Sequence, residues 1–242
     1  MYVTKRILIS IPDQDFDTTE VSIPWLKFIE SGFEVIFSTE TGKVGTTDPL
    51  LLKGVLFGKL GAKPEAIEAY GKLEQNYHFN NPIPYYDIQP MDYDLLMLPG
   101  GHAKGMKQYL ESRTLQDKVL TFMNQKRLVA AICHGTIVLS RTRDPKTEKS
   151  ILYGRKVTAL TKTLERTAYY LTSWKLGQYY RTYPEYVEDE VKNSLCSSGD
   201  FQHGKAPWIP FCLTDGNLIT ARWPLDAHLF AQTLVERLQA NS

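Results

Sequence analysis

Four short apolar runs, each long enough for a strand and too short for a helix, constrain this chain more than any other feature. They are Ile7-Leu8-Ile9-Ser10-Ile11, Glu34-Val35-Ile36-Phe37-Ser38, Asp94-Leu95-Leu96-Met97-Leu98 and Leu128-Val129-Ala130-Ala131-Ile132. Unbroken apolar runs, rather than alternating ones, suit strands buried on both faces of a parallel sheet. Helical patterns stand between them; the first spans Thr18 to Ser31, with Val21, Trp25 and Phe28 near one face. Strands alternating with helices make βαβ units, so the expected fold is a doubly wound, mostly parallel α/β sheet with helices on both faces. Further on, Pro210–Leu213 and Leu218–Ala221 flank Asp215-Gly216-Asn217 and read as a hairpin. Asp226 to Leu238 reads as a closing helix with Leu229, Phe230, Leu234 and Leu238 inward. A length of 242 residues suits one domain over residues 1–242.

Two segments break the alternation. Residues 43–90 carry many glycines and prolines, a cluster of leucines and a helical pattern from Pro64 to Leu73. A connection of that length is usually functional, and a cap or lid over the site is expected there. Residues 163–196 are rich in tyrosine, and the expectation is packing aromatics whose hydroxyls reach the surface.

Composition excludes several classes. Lysine plus arginine number 28 against 27 acidic residues, a net charge of +1, without the basic excess of a nucleic-acid binder. The three cysteines, Cys133, Cys196 and Cys212, are odd in number, widely spaced and form no CxxC pair. Neither a disulfide framework nor a cysteine-rich zinc site is expected, and a reducing compartment is favoured. His78, His203 and His228 show no metal-ligand spacing, so neither a metal nor a cofactor is expected. The first residues enter a strand pattern without a signal-peptide core, and no apolar stretch approaches the roughly 20 residues of a membrane span. A cytoplasmic protein is expected.

The fourth apolar run ends in Ala130-Ala131-Ile132-Cys133-His134-Gly135, and a further apolar helix follows. In open α/β sheets ligands bind beyond the carboxyl ends of the strands, and a residue on a sharp strand-to-helix turn there has the geometry of a nucleophile elbow. A helix N-terminus beneath the sulfur would favour thiolate over thiol. A second strand end, Pro99-Gly100-Gly101-His102, could bring backbone N–H groups of Gly100 and Gly101 to the same place as an oxyanion hole. His102 itself reads as a solvated loop histidine, with a place facing the pocket as the alternative.

Leu98-Pro99-Gly100-Gly101-His102 followed by Ala131-Ile132-Cys133-His134-Gly135 resembles the ThiJ/PfpI family, within the flavodoxin-like, class I glutamine amidotransferase-like fold group. Lys5–Ile9 resembles its first strand, and Glu20-Val21-Ser22-Ile23-Pro24 its E-x-x-x-P helix start. The likeness covers most of residues 5–165 and leans toward the larger chaperone and glyoxalase-like members. It implies Cys133 as nucleophile, Glu20 as an acid over the sulfur and His134 as general acid/base. It also implies Glu165, in Thr158–Glu165, as the acid that holds His134. The implied chemistry is cofactor-independent glyoxalase or deglycase action on a small carbonyl substrate, methylglyoxal to lactate in type. Alternatives that keep the cysteine are a peptidase or amidohydrolase, and a non-enzymatic oxidative-stress sensor or holdase chaperone. Glutamine amidotransfer fits least: residue 131 is Ala131 where that elbow has glycine, and no distant His-x-Glu pair is present. The family also implies a homodimer.

Overall fold

The structure is a computed structural model that describes residues 4–54 and 60–240. Nine strands are described: β1 (Arg6–Ser10), β2 (Gln14–Phe16), β3 (Glu34–Thr39), β4 (Thr46–Thr47), β5 (Ile83–Pro84), β6 (Leu95–Leu98), β7 (Leu128–Ile132), β8 (Cys212–Asp215) and β9 (Leu218–Ala221). The helices are α1 (Thr18–Glu30), α2 (Pro49–Lys53), α3 (Pro64–Leu73), α4 (Tyr77–Asn80), α5 (Lys107–Glu111), α6 (Arg113–Asn124), α7 (Gly135–Arg141), α8 (Lys162–Leu176), α9 (Val187–Asn193) and α10 (Ala227–Ala240).

The main sheet runs β5-β3-β1-β6-β7-β9-β8, and every pairing in it is parallel except β8 with β9. Its centre is built from the four apolar runs. Ile7, Leu8 and Ile9 of β1 lie beside Leu95, Leu96 and Met97 of β6, and all six are fully buried. β7 is buried along its whole length, which explains the absence of polar alternation in its sequence. α1 packs against α3 and α10, while α7 packs against α5, α6 and α9, so apolar helix faces cover the sheet. The hairpin forms as expected, with positive φ at Gly216 in its turn. Leu229, expected inward on the last helix, is 39% exposed; Ala231 and Val235 join Phe230, Leu234 and Leu238 inside instead.

The segment 43–90 is less separate than its composition suggests. β5 extends the main sheet beside β3, Phe79 of α4 packs edge-on to Phe37, and β4 pairs with β2 in a small second sheet. α3 lies along α1, where the Ala66 carbonyl accepts a hydrogen bond from Ser22 Oγ.

Candidate active site

Three strand ends meet above the centre of the sheet. The connection between β1 and α1, just past β2, carries Asp17, whose buried carboxylate caps α1 by accepting from the N–H groups of Thr19 and Glu20 at 2.8 and 3.0 Å. That cap fixes the first turn of α1 and points Glu20 inward. The loop after β6 is tied to it: Asp17 N–H donates to the Gly100 carbonyl at 2.8 Å, and Gly105 N–H donates to Asp15 Oδ2 at 2.9 Å. Tyr109 Oη donates to the Pro99 carbonyl from beneath. After β7 the chain turns at Cys133 with φ of +59°, a left-handed conformation that a side chain rarely adopts. Strain at this elbow holds the sulfur above the sheet, as in serine elbows.

Glycines make the approach possible. A Cβ on Gly100 would lie 2.7 Å from His134 N and 2.8 Å from both Cys133 Cβ and Glu20 Oε2. A Cβ on Gly135 would lie 2.1 Å from the Leu98 carbonyl oxygen. The Gly100 N–H donates to Glu20 Oε2 at 2.8 Å, so it is committed to the acid and is not the free oxyanion donor expected of it. Gly101 is packed against Asp15, Asp17 and Met106.

His134 is the best-defined group. Its Nδ1 lies 3.5 Å from Cys133 Sγ, and its Nε2 lies 3.4 Å from Thr182 Oγ1. The Thr182 hydroxyl donates its proton to the His102 carbonyl at 2.6 Å, so toward His134 it can only accept. The Nε2 must therefore carry the ring proton, leaving the Nδ1 lone pair facing the thiol. No motif marks Thr182, which lies 48 residues from His134 in the tyrosine-rich segment.

Glu165 is buried but elsewhere engaged. Its Oε1 pairs with Arg181 Nη1 at 3.0 Å, and its Oε2 accepts from Val187 N–H at 3.0 Å. The hydrogen-bonded neighbours of the His134 ring are Cys133 and Thr182, and Glu165 reaches it only through the Arg181–Thr182 segment. His102 takes the second of its two readings and faces the site. Its ring stacks edge-on to His134 with centroids 4.8 Å apart, and its Nε2 is buried without a hydrogen-bond partner among the described residues.

Burial governs the electrostatics. It pushes the Cys133 thiol well above its ordinary value, and the nearby Glu20 and Asp17 charges add to that. The His134 N–H pulls the other way but does not prevail, and α7 is only two turns long. The resting group is thus a thiol rather than the thiolate expected from the helix end. Burial also raises Glu20 well above the carboxylate range, reinforced by Asp17, and Glu20 Oε1 has no hydrogen-bond partner among the described residues. Burial accordingly favours the protonated form of Glu20. Asp17 is pushed up to about 6 by burial. Burial holds His134 well below its usual value, with His102 and Arg181 adding to the effect, and lowers His102 to about 4. At rest the thiol and both imidazoles are neutral, while Asp17, accepting from two backbone N–H groups, is largely ionised at neutral pH.

His102, Cys133 and His134 present donor atoms within 4.8 Å of one another, a set that could hold a soft cation. His78, His203 and His228 lie apart, each beside a glutamate: Glu34, Glu188 and Glu65. All three cysteines are free, and no described helix is long and apolar enough to cross a membrane.

Residues 11–194 match the ThiJ/PfpI family-like family, and the chain belongs to it. Among its relatives are Glyoxalase 3 of Candida albicans, 26% identical over 220 residues that cover 90% of this chain and 87% of the relative. The glutathione-independent glyoxalase HSP31 of Saccharomyces cerevisiae is 26% identical, covering 89% and 86%. The crystal structure of glyoxalase III from Candida albicans superposes with a TM-score of 0.72 at 23% identity, over 96% of each chain. The Francisella tularensis Rapid Encystment Protein superposes with a TM-score of 0.76 at 18% identity, over 97% of this chain and 99% of that one. These superpositions agree with the mostly parallel α/β fold.

Proposed function

We propose that this protein is a cofactor-independent glyoxalase that converts 2-oxoaldehydes to 2-hydroxy acids. The observation that carries the reading is the Cys133 Sγ to His134 Nδ1 contact of 3.5 Å, with the ring proton held on Nε2 by Thr182. The names of the two yeast relatives support it. A glyoxalase that needs no glutathione must supply its own thiol, and Cys133 is placed to be that thiol.

The chemistry follows from the groups present. His134 Nδ1 takes the thiol proton as sulfur adds to the aldehyde carbon, and returns it to the new oxygen to give a hemithioacetal. The same nitrogen then removes the hydrogen from that carbon to give an enediol and delivers it to the adjacent carbon, while the proton of the hemithioacetal hydroxyl passes to the neighbouring oxygen, giving a thioester of the 2-hydroxy acid. Water hydrolyses the thioester and frees the thiol. The sum is 2-oxoaldehyde plus water to 2-hydroxy acid, with no external oxidant or reductant. Protonated Glu20 donates to the sulfur as charge develops, and the Gly101 and His134 N–H groups serve the oxyanion. Glu165 acts one step away, anchoring Arg181 and thereby the segment that holds Thr182. Burial of the thiol argues against a resting oxidant sensor, which needs an accessible thiolate. Three free cysteines suit a reducing, cytoplasmic setting.

The test is methylglyoxal consumption without glutathione, with lactate as product. The wild type is expected to turn over and Cys133→Ser to be inactive. Absence of turnover in the wild type overturns the activity, and turnover in Cys133→Ser overturns the site.

A further inference from the structure

A cavity of about 700 Å³ opens beside the site, bounded by α8, by residues 60–65 before and within α3, and by the loops carrying Trp208 and Trp223. Its walls are mainly apolar, with Leu60, Leu160, Leu164, Leu171, Trp208 and Trp223 among them. Charged groups such as Lys63, Glu65 and His228 are exposed at its border. Asp17 and His102 are the wall residues that reach the catalytic groups: Asp17 is hydrogen-bonded to Gly100, and His102 is stacked on His134. The cavity therefore comes within one side chain of Cys133, which is itself fully buried. Among the described residues no hydrogen bond is lost at His102 Nε2 when that ring turns aside, so it can act as the door between cavity and sulfur.

The size and lining do not suit a three-carbon substrate. Pockets of roughly 300–1,000 Å³ hold drug-sized molecules, mostly against apolar walls with a few polar groups that set orientation. Methylglyoxal has five heavy atoms and one methyl group to bury. Most of this cavity would contribute nothing to its recognition.

Building on the glyoxalase reading, we propose that the preferred substrates are 2-oxoaldehydes bearing an extended apolar chain, with the dicarbonyl head at Cys133 and the chain lying in this cavity. Leu160 and Leu164 supply the inner wall for the chain, and Trp208 and Leu171, 75% and 49% exposed, form the mouth. The exposed aromatic and leucine side chains at the mouth have an explanation in this role that a methylglyoxal site would not give them.

The experiment is a homologous series with the full chain: methylglyoxal, 2-oxohexanal, 2-oxooctanal and 2-oxodecanal. Each methylene moved from water into the cavity is expected to raise kcat/KM about three- to fourfold until the cavity is filled. Ala168→Trp, which fills the cavity from α8, and Leu171→Glu, which makes its mouth polar, are expected to flatten the series, so that 2-oxodecanal loses its gain in kcat/KM over methylglyoxal. Turnover of methylglyoxal with no gain along the wild-type series overturns the inference and leaves the glyoxalase reading intact. A second readout is binding of unreactive methyl ketones of matching length, followed by the tryptophan emission of Trp208 and Trp223. If no 2-oxoaldehyde is turned over but ketone affinity climbs with chain length, the glyoxalase reading falls and the cavity stands as an apolar-ligand site. Ketone affinity independent of chain length overturns the cavity assignment.

Discussion

Thr182→Val removes one hydroxyl from beneath two histidines and keeps the side-chain shape. The hydroxyl makes a 2.6 Å bond to the His102 carbonyl and a 3.4 Å contact with His134 Nε2. Only the second bears on chemistry, because it keeps the His134 proton on Nε2 and the Nδ1 lone pair toward sulfur. A neutral hydrogen bond contributes about 0.5–1.5 kcal/mol net. Losing that bias lets the wrong tautomer compete, for a fall in kcat/KM of about 2- to 13-fold. Orphaning the partly buried His102 carbonyl costs about 1–3 kcal/mol, or a melting temperature lower by about 2–12 °C for a chain of this size. Thr182→Ser keeps both contacts and is expected to restore rate and stability together. The assays are initial rates of methylglyoxal loss from pH 5 to 9, thermal melts, and the ¹⁵N shifts of the His134 ring, which report the tautomer directly. A valine variant that melts lower yet keeps the wild-type rate and pH profile would refute the reasoning. So would a wild-type ring protonated on Nδ1.

Glu20→Gln tests the protonation of Glu20 through stability. Because burial raises the folded-state pKa of Glu20, its protonated form is favoured by folding, and stability is lost as pH rises through that raised value. The glutamine variant cannot ionise, so its melting temperature relative to wild type is expected to climb from pH 5 to pH 8; a constant difference would show that Glu20 is ionised throughout. His102 contributes with the opposite sign: its pKa is lowered to about 4, so its share of stability is present above about 6.5 and is lost as pH falls toward 4. Gly135→Ala places a Cβ 2.1 Å from one backbone oxygen and 2.7 Å from the next, and no folded protein is expected by circular dichroism. Gly71→Ala, inside α3 with nothing within 4 Å of the new carbon, should instead gain about 0.5–1 kcal/mol in denaturant melts. Glu165→Gln leaves the largely buried Arg181 without its charge partner, a cost of about 3–5 kcal/mol by urea titration. Its effect on kcat/KM should be smaller than that of Thr182→Val, and the reverse order would make Glu165 the direct partner of His134.

The main sheet was legible because its strands are buried on both faces, which leaves unbroken apolar runs that no other element of that length produces. β5, only Ile83 and Pro84, carries no such run, and it joins the sheet because Ser38 and Thr39 leave an edge for it. β2 and β4 are equally short, and they exist through each other. At the site, residues on strand ends or in the first turn of a helix were legible: Cys133 after β7, Gly100 after β6 and Glu20 at the start of α1, each flagged by its neighbours in the chain. Thr182 was not, because its part depends on where a tyrosine-rich connection happens to fold back. His102 reads as a polar loop residue, yet Tyr180, with its ring centroid 5.9 Å away, and His134 enclose it. Protonation was the least legible property. The sequence shows a cysteine at a helix start, but the depth of burial that outweighs the helix is a tertiary fact.

That burial makes sense of the acids gathered here. Asp17, Glu20 and Asp48 are all pushed up from their ordinary values, mainly by removal from water, and their hydrogen-bond partners include no cation. An ionised Glu20 would repel Asp17 and the thiolate, whereas a protonated Glu20 can donate to the sulfur. A resting site made of a thiol, a protonated carboxyl and a neutral imidazole needs no counterion and no water. It can therefore sit sealed beneath His102, at the end of an apolar cavity, without the large cost of an unpaired buried charge. Charge separates only when the thiol proton crosses the 3.5 Å to His134, and that step is useful only when an electrophilic carbon stands ready to take the sulfur. An apolar chain that displaces water from the cavity would favour the neutral ground state and the short proton transfer alike. The burial that raises the thiol pKa thus protects the nucleophile between turnovers and couples its activation to the arrival of substrate.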